Sequence, residues 1–130
     1  MFMLDTDTCS YTLKKRPRSV LERFRALDRG ALAVSAITAA ELYYGAQRHP
    51  SRGAAIGADI DDFLSRLMVL PWSAEQDYAR VRCVLEARGT PIGNNDLLIG
   101  THALALGATL VTNNLAHFGR IDGLRCETWV

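Results

Sequence analysis

Three carboxylates and one amide are the side chains in this 130-residue sequence best suited to work together: Asp5, Glu41, Asp96 and Asn114. Asp5 follows Met1-Phe2-Met3-Leu4 directly, four apolar residues fit for a strand buried on both faces. It therefore stands where a strand runs out into a loop. Open α/β sheets bind ligands at the carboxyl ends of their strands. Glu41 falls early in a helix after a second strand, Asp96 opens a later helix, and Asn114 comes just after a fourth strand. In a parallel sheet all four can gather at one edge, with Asp5, Glu41 and Asp96 expected within a few ångströms of one another. Such a cluster repels itself unless a divalent cation neutralises it. Oxygen ligands with no His or Cys beside them in sequence point to Mg²⁺, with Mn²⁺ able to substitute, rather than zinc. A carboxylate-held Mg²⁺ suits hydrolysis of a phosphodiester.

Taken singly, most of these residues have a plain structural explanation. Thr38-Ala39-Ala40-Glu41 matches a helix capping box. Asp96 in a first helical turn is favoured by the helix dipole alone, and Asp7 can cap a short helix from Thr8. Asp5 has no such excuse, because a strand end gains nothing obvious from a carboxylate. His49, His102 and His117 lie on separate segments without ligand spacing and read as core or surface residues. Asp59, Asp61 and Asp62 fall on the polar side of an amphipathic helix, and Trp72 and Trp129 are isolated.

The elements that must position these groups follow from periodicity. Thr8–Leu13 allows one or two helical turns. Pro17 opens a helix to Leu27, with Val20, Leu21, Phe24 and Leu27 on one face. Ala31–Ser35 reads as a buried strand, 38–46 as a helix, and 52–67 as an amphipathic helix carrying Ile56, Ile60, Phe63, Leu64 and Leu67. Met68-Val69-Leu70 is a third strand, and Ser73 with Gln76 forms a capping box for a helix to Arg88. Asn94 or Asn95 can cap the next helix, which is apolar almost all round and stops at Gly107. Ala108–Thr112 is a strand, 113–123 a loop with a helical turn, and Arg125–Val130 a last edge strand. This alternation predicts a mostly parallel α/β sheet with helices on both faces. No repeat or linker interrupts it, so residues 1–130 are expected to form one domain.

Composition excludes several classes. Hydrophobic residues make up 48% and charged residues 22%, near globular averages, so disorder is not expected. A net charge of +1 advertises no polyanionic partner; the one tight basic run is Lys14-Lys15-Arg16-Pro17-Arg18. Cys9, Cys83 and Cys126 are scattered, which suits reduced, mostly buried thiols in the cytoplasm better than a disulfide frame. No apolar run approaches the ~20 residues of a membrane span, and an acidic start after four apolar residues is no signal peptide.

MLDTDTC at 3–9, ITAAELYYGA at 37–46, GTPIGNNDLLIGTHALALGATLVTNN at 89–114 and the HFGRIDGLRCETW tail together resemble the PIN-domain ribonucleases of the VapC toxin type, over nearly the whole chain. The resemblance implies a three-layer α/β/α sandwich on a sheet of about five strands. It also implies a Mg²⁺-dependent endoribonuclease, held in check by a VapB-type antitoxin and forming a homodimer. Operator DNA would be met only through the antitoxin, and no membrane is involved. Asp5, Glu41 and Asp96 match the family's acidic residues and are the implied metal ligands. Asn114 stands where many members carry a fourth acid, and Asp7 where many carry Asn or Ser. Members with these motifs commonly cut tRNA, notably initiator tRNA in its anticodon loop. Two rivals use the same residues. Asp5-Thr6-Asp7-Thr8 matches the DxDxT loop of haloacid-dehalogenase-like phosphatases, although only Lys14 and Lys15 are available as the lysine those enzymes need. The other is a non-catalytic RNA- or partner-binding module.

Overall fold

The strand that ends at Asp5 lies at the centre of the sheet. The computed structural model describes residues 1–130. Its five strands are β1 (Phe2–Leu4), β2 (Leu32–Ser35), β3 (Met68–Leu70), β4 (Thr109–Val111) and β5 (Cys126–Glu127). They run in the order β3-β2-β1-β4-β5 with every pairing parallel. Phe2 pairs with Leu32 on one side and Thr109 on the other, and Leu4 lies beside Val111. The ladder continues one step past the strand, because the Asp5 N–H donates to the Val111 carbonyl at 3.0 Å.

Alternate side chains along these strands feed two cores, as a three-layer sandwich requires. Leu4, Val34 and Val111 pack with Cys9, Val20, Leu42, Ile60 and Phe63. Those partners come from α1 (Thr6–Lys14), α2 (Arg18–Ala26), α3 (Ala36–Gln47) and α4 (Gly53–Leu64). Met3 and Leu110 pack on the opposite face with Val81, Leu85, Leu97, Ala103 and Phe118. These belong to α5 (Glu75–Ala87), α6 (Asn94–Leu106) and α7 (Leu115–Phe118). Parallel strands so covered are buried on both sides, and Met3, Leu4 and Leu110 are fully enclosed. The helix from Asn94 is indeed buried on most of its faces, and it closes on Gly107 in the left-handed region (φ 65°).

Several helix starts differ from the sequence expectation. Asp5, not Asp7, caps α1 by accepting the Thr8 N–H at 2.8 Å; the strand-end carboxylate thus has a structural role after all. Asp7 is exposed in the first turn. The capping-box match at Thr38 and Glu41 is accidental, because Ser35 at the end of β2 accepts the Ile37 N–H and α3 starts at once. Ser73 and Asn94 or Asn95 do not cap: α5 and α6 begin after Ala74 and Gly93 without a side-chain cap. The expected 52–67 helix stops at Leu64, and the last strand shrinks to two residues. Beyond it Trp129 leaves the ladder to pack edge-on against Phe2. Met68 and Val69 are exposed on the edge strand β3, and Cys83 is exposed rather than buried. No helix is long and apolar enough to cross a membrane.

Candidate active site

A parallel sheet puts the ends of all its strands on one edge, and the sequence-predicted residues occupy that edge. Asp5 follows β1 and is almost completely buried. Glu41 lies on α3, entered from the end of β2. Asp96 is the third residue of α6, and Asn114 precedes α7 just past β4. Hydrogen bonds and close contacts link these segments. Thr6, next to Asp5, donates its hydroxyl to Glu41 Oε1 at 2.6 Å. The other oxygen of Glu41 accepts from the Asn95 amide at 3.1 Å, beside Asp96. His117 Nδ1 stands 3.4 Å from Asp96 Oδ2 and 2.9 Å from the Asn114 amide nitrogen. The Asn114 N–H donates to Thr112 Oγ1 at 2.9 Å, and the Thr112 side chain lies close enough to Asp5 to favour its ionised form.

His117 is the member that sequence reasoning missed. Its distance from Asp96 along the chain hides the contact, but it lies three residues after Asn114, one helical turn, which places both on one face. Asn114 itself is committed to His117 rather than free in the cleft.

The electrostatics of the edge are those of gathered negative charge. Burial pushes the Asp5 carboxyl above the usual carboxylate range, hydrogen bonds from Thr112 and Thr8 pull it back, and the nearby Asp7 charge adds a smaller upward push. Carboxylate oxygens are the donors a hard divalent cation takes, so the chemistry of Asp5, Glu41 and Asp96 fits such an ion, although their spacing here does not close around one. Asp5, Glu41 and Asp96 border the edge without being clasped together. No three acidic, imidazole or thiol side chains stand close enough to share one ion, and Glu41 is turned towards Thr6 and Asn95. Asp59, Asp61 and Asp62 are exposed on α4, with Asp61 bonded to Tyr43 and Asp62 to Arg66. Lys14 and Lys15 are exposed at the far end of α1, roughly 13 Å along its axis from Asp5. That is a poor position for the lysine a DxDxT phosphatase requires.

Comparison with known proteins agrees with this geometry. The PIN domain family profile matches residues 2–124. The chain is 42% identical to Ribonuclease VapC2 of Haemophilus influenzae, over 99% of this chain and 98% of the relative. It is 41% identical to the tRNA(fMet)-specific endonuclease VapC of Salmonella typhimurium, over 98% and 97%. Among solved structures, VapBC2 from Rickettsia felis bound to a promoter DNA fragment superposes with a TM-score of 0.91 at 41% identity, covering 99% of this chain and 98% of that one. The chain belongs to the PIN-domain family, in its VapC ribonuclease branch.

Proposed function

We propose that this chain is the toxin of a type II toxin–antitoxin pair, a metal-dependent endoribonuclease working as one domain in the cytoplasm. The observation that carries the reading is the gathering of Asp5, Glu41 and Asp96 at the carboxyl edge of a parallel sheet, linked through Thr6 and Asn95. Asp5 and Asp96 would hold Mg²⁺, or Mn²⁺ in its place, and Glu41 would orient the attacking water and take its proton. The ion, when bound, polarises the phosphate and stabilises the leaving oxygen. Asn114 bonds the His117 ring, which stands beside Asp96. Products carry 5′-phosphate and 3′-hydroxyl ends.

Two relatives about 41% identical are named tRNA(fMet)-specific endonucleases, which supports tRNA as the substrate class and initiator tRNA as the first to test. Solved neighbours are VapBC complexes, two of them with DNA, which supports a VapB-type antitoxin as the partner; a toxin homodimer and DNA contact through the antitoxin are the arrangement to test with it. An antitoxin arginine entering the acidic edge would inhibit by pairing with the carboxylates.

The test is cleavage of total RNA by purified protein with Mg²⁺, with EDTA, and with Asp96→Asn, the new ends being mapped. Cleavage should require the metal and Asp96, with ends clustered in a tRNA anticodon loop. Cutting that survives both EDTA and Asp96→Asn would overturn the metal site. RNA binding without any cutting would favour the non-catalytic module.

A further inference from the structure

The acidic edge does not end at Glu41. A cleft of about 530 Å³ runs from Thr6, Glu41 and Asn95 along α3 to Tyr44 and Arg48, with Gly45 on its floor. Residues 41, 44, 45 and 48 share one face of the helix by their three- and four-residue steps. Arg48 lies roughly 10 Å along the axis from Glu41, a short step along an RNA strand.

Two features of this cleft have no use inside the protein. Tyr44 is 64% exposed, the most exposed aromatic side chain of the chain. Its neighbour Tyr43 anchors its hydroxyl on Asp61, whereas the Tyr44 hydroxyl bonds no other side chain and the Arg48 guanidinium lies 5.6 Å from its ring centroid. Arg48 pairs with no carboxylate, unlike Arg18, Arg23, Arg66, Arg80, Arg82 and Arg88. A cation at a helix C-terminus suits the dipole, but that alone explains neither the bare ring nor the open cleft. Gly45 is the second feature. Glycine inside a helix costs stability relative to alanine, and a Cβ here would meet nothing within 4 Å. No internal contact demands the glycine; what it keeps open is the cleft.

We infer that Tyr44, Gly45 and Arg48 form a subsite for an unpaired RNA nucleotide flanking the scissile phosphate. The base stacks on Tyr44, the phosphate pairs with Arg48, and Gly45 leaves room for both. Stacking on an aromatic ring and pairing of phosphate with arginine are how single-stranded RNA is held, and the cleft's continuity with Glu41 delivers that strand to the acidic edge. This rests on the ribonuclease reading.

The experiment measures binding of a single-stranded RNA oligonucleotide carrying a fluorescent base analogue to Asp96→Asn protein, alone and with a second substitution. Tyr44→Ala should weaken binding roughly 5- to 100-fold, and Tyr44→Phe should bind as tightly as the parent. Arg48→Ala should reduce the slope of log affinity against log salt by about 0.7. Gly45→Gln should weaken binding while raising the melting temperature, which a merely structural role would not produce. In the cleaving protein, Tyr44→Ala should raise KM with kcat within about twofold. Unchanged affinity in Tyr44→Ala and Arg48→Ala, or a change in oligomeric state without a change in RNA binding, would overturn the subsite. A parent that cuts RNA while Tyr44→Ala binds normally overturns the subsite alone. A parent that binds RNA through Tyr44 without cutting overturns the nuclease reading alone.

Discussion

His102 Nδ1 lies 2.8 Å from the hydroxyl oxygen of Ser35, and both side chains are buried. The same oxygen accepts the Ile37 N–H at the start of α3. One hydroxyl therefore ties the helix that bears Glu41 to the helix that bears Asp96.

Burial lowers the His102 pKa below its usual 6.5, and Nε2 has no hydrogen-bond partner to accept from it in the protonated ring. The unfolded chain therefore binds a proton more readily than the folded one once the pH drops below about 6.5. Stability should be intact above that point and should fall with pH beneath it, by up to about 1.4 kcal/mol per unit, until the folded pKa is reached. Urea midpoints between pH 5 and 8 should show this slope in the parent and a shallower one in His102→Asn. A midpoint equally flat in both would refute it.

The Thr6 hydroxyl aims Glu41 through a 2.6 Å bond. Thr6→Val keeps the shape and removes the donor. Cleavage should fall by roughly 10- to 100-fold, the usual cost of losing a group that orients a metal-site side chain, while the melting temperature barely moves. Single-turnover assays at saturating Mg²⁺ measure it.

Asp5 is held against its own preference. Its folded pKa is raised, so its ionised form at pH 7 counts against the fold. Asn caps a helix as well as Asp does. Asp5→Asn should raise the metal-free melting temperature by roughly 3 °C and lower cleavage by at least about 100-fold. Calorimetry beside an RNA assay gives both numbers; a less stable Asp5→Asn protein would contradict the account.

Two helical glycines should respond oppositely to alanine. A Cβ at Gly100 would meet Ile121 Cδ1 at 2.6 Å and Phe118 Cδ1 at 3.2 Å, so both buried side chains would have to shift to admit it. Gly100→Ala should cost about 1–3 kcal/mol. Gly57 in α4 has open space, and Gly57→Ala should gain about 0.5–1 kcal/mol. Denaturant titrations of the pair decide the matter.

The sequence legibly carried what depends on pattern alone. Apolar runs gave the strands, the nearly all-apolar 94–106 segment gave a buried helix, and a carboxylate straight after the first run gave the edge of the sheet. Helix starts were read less well, because a cap is a geometric event. Thr38-x-x-Glu41 has the right letters, but Ser35 is already in position at the strand end, and Asp5 reaches Thr8 before Asp7 can act. His117 and the Tyr44–Arg48 pair were illegible for another reason: their neighbours are remote in sequence or matter only as one face of a helix beside an open cleft.

The central position of β1 bears on how the enzyme comes into being. Asp5 is set by the Val111 carbonyl on one flank and the Thr112 side chain near it, and Asp96 and His117 are supplied by still later stretches. Segments made first on the ribosome must wait for those made last. A half-translated chain therefore lacks both Asp96 and the strand that seats Asp5, so with the proposed site no activity would be met until synthesis is nearly finished.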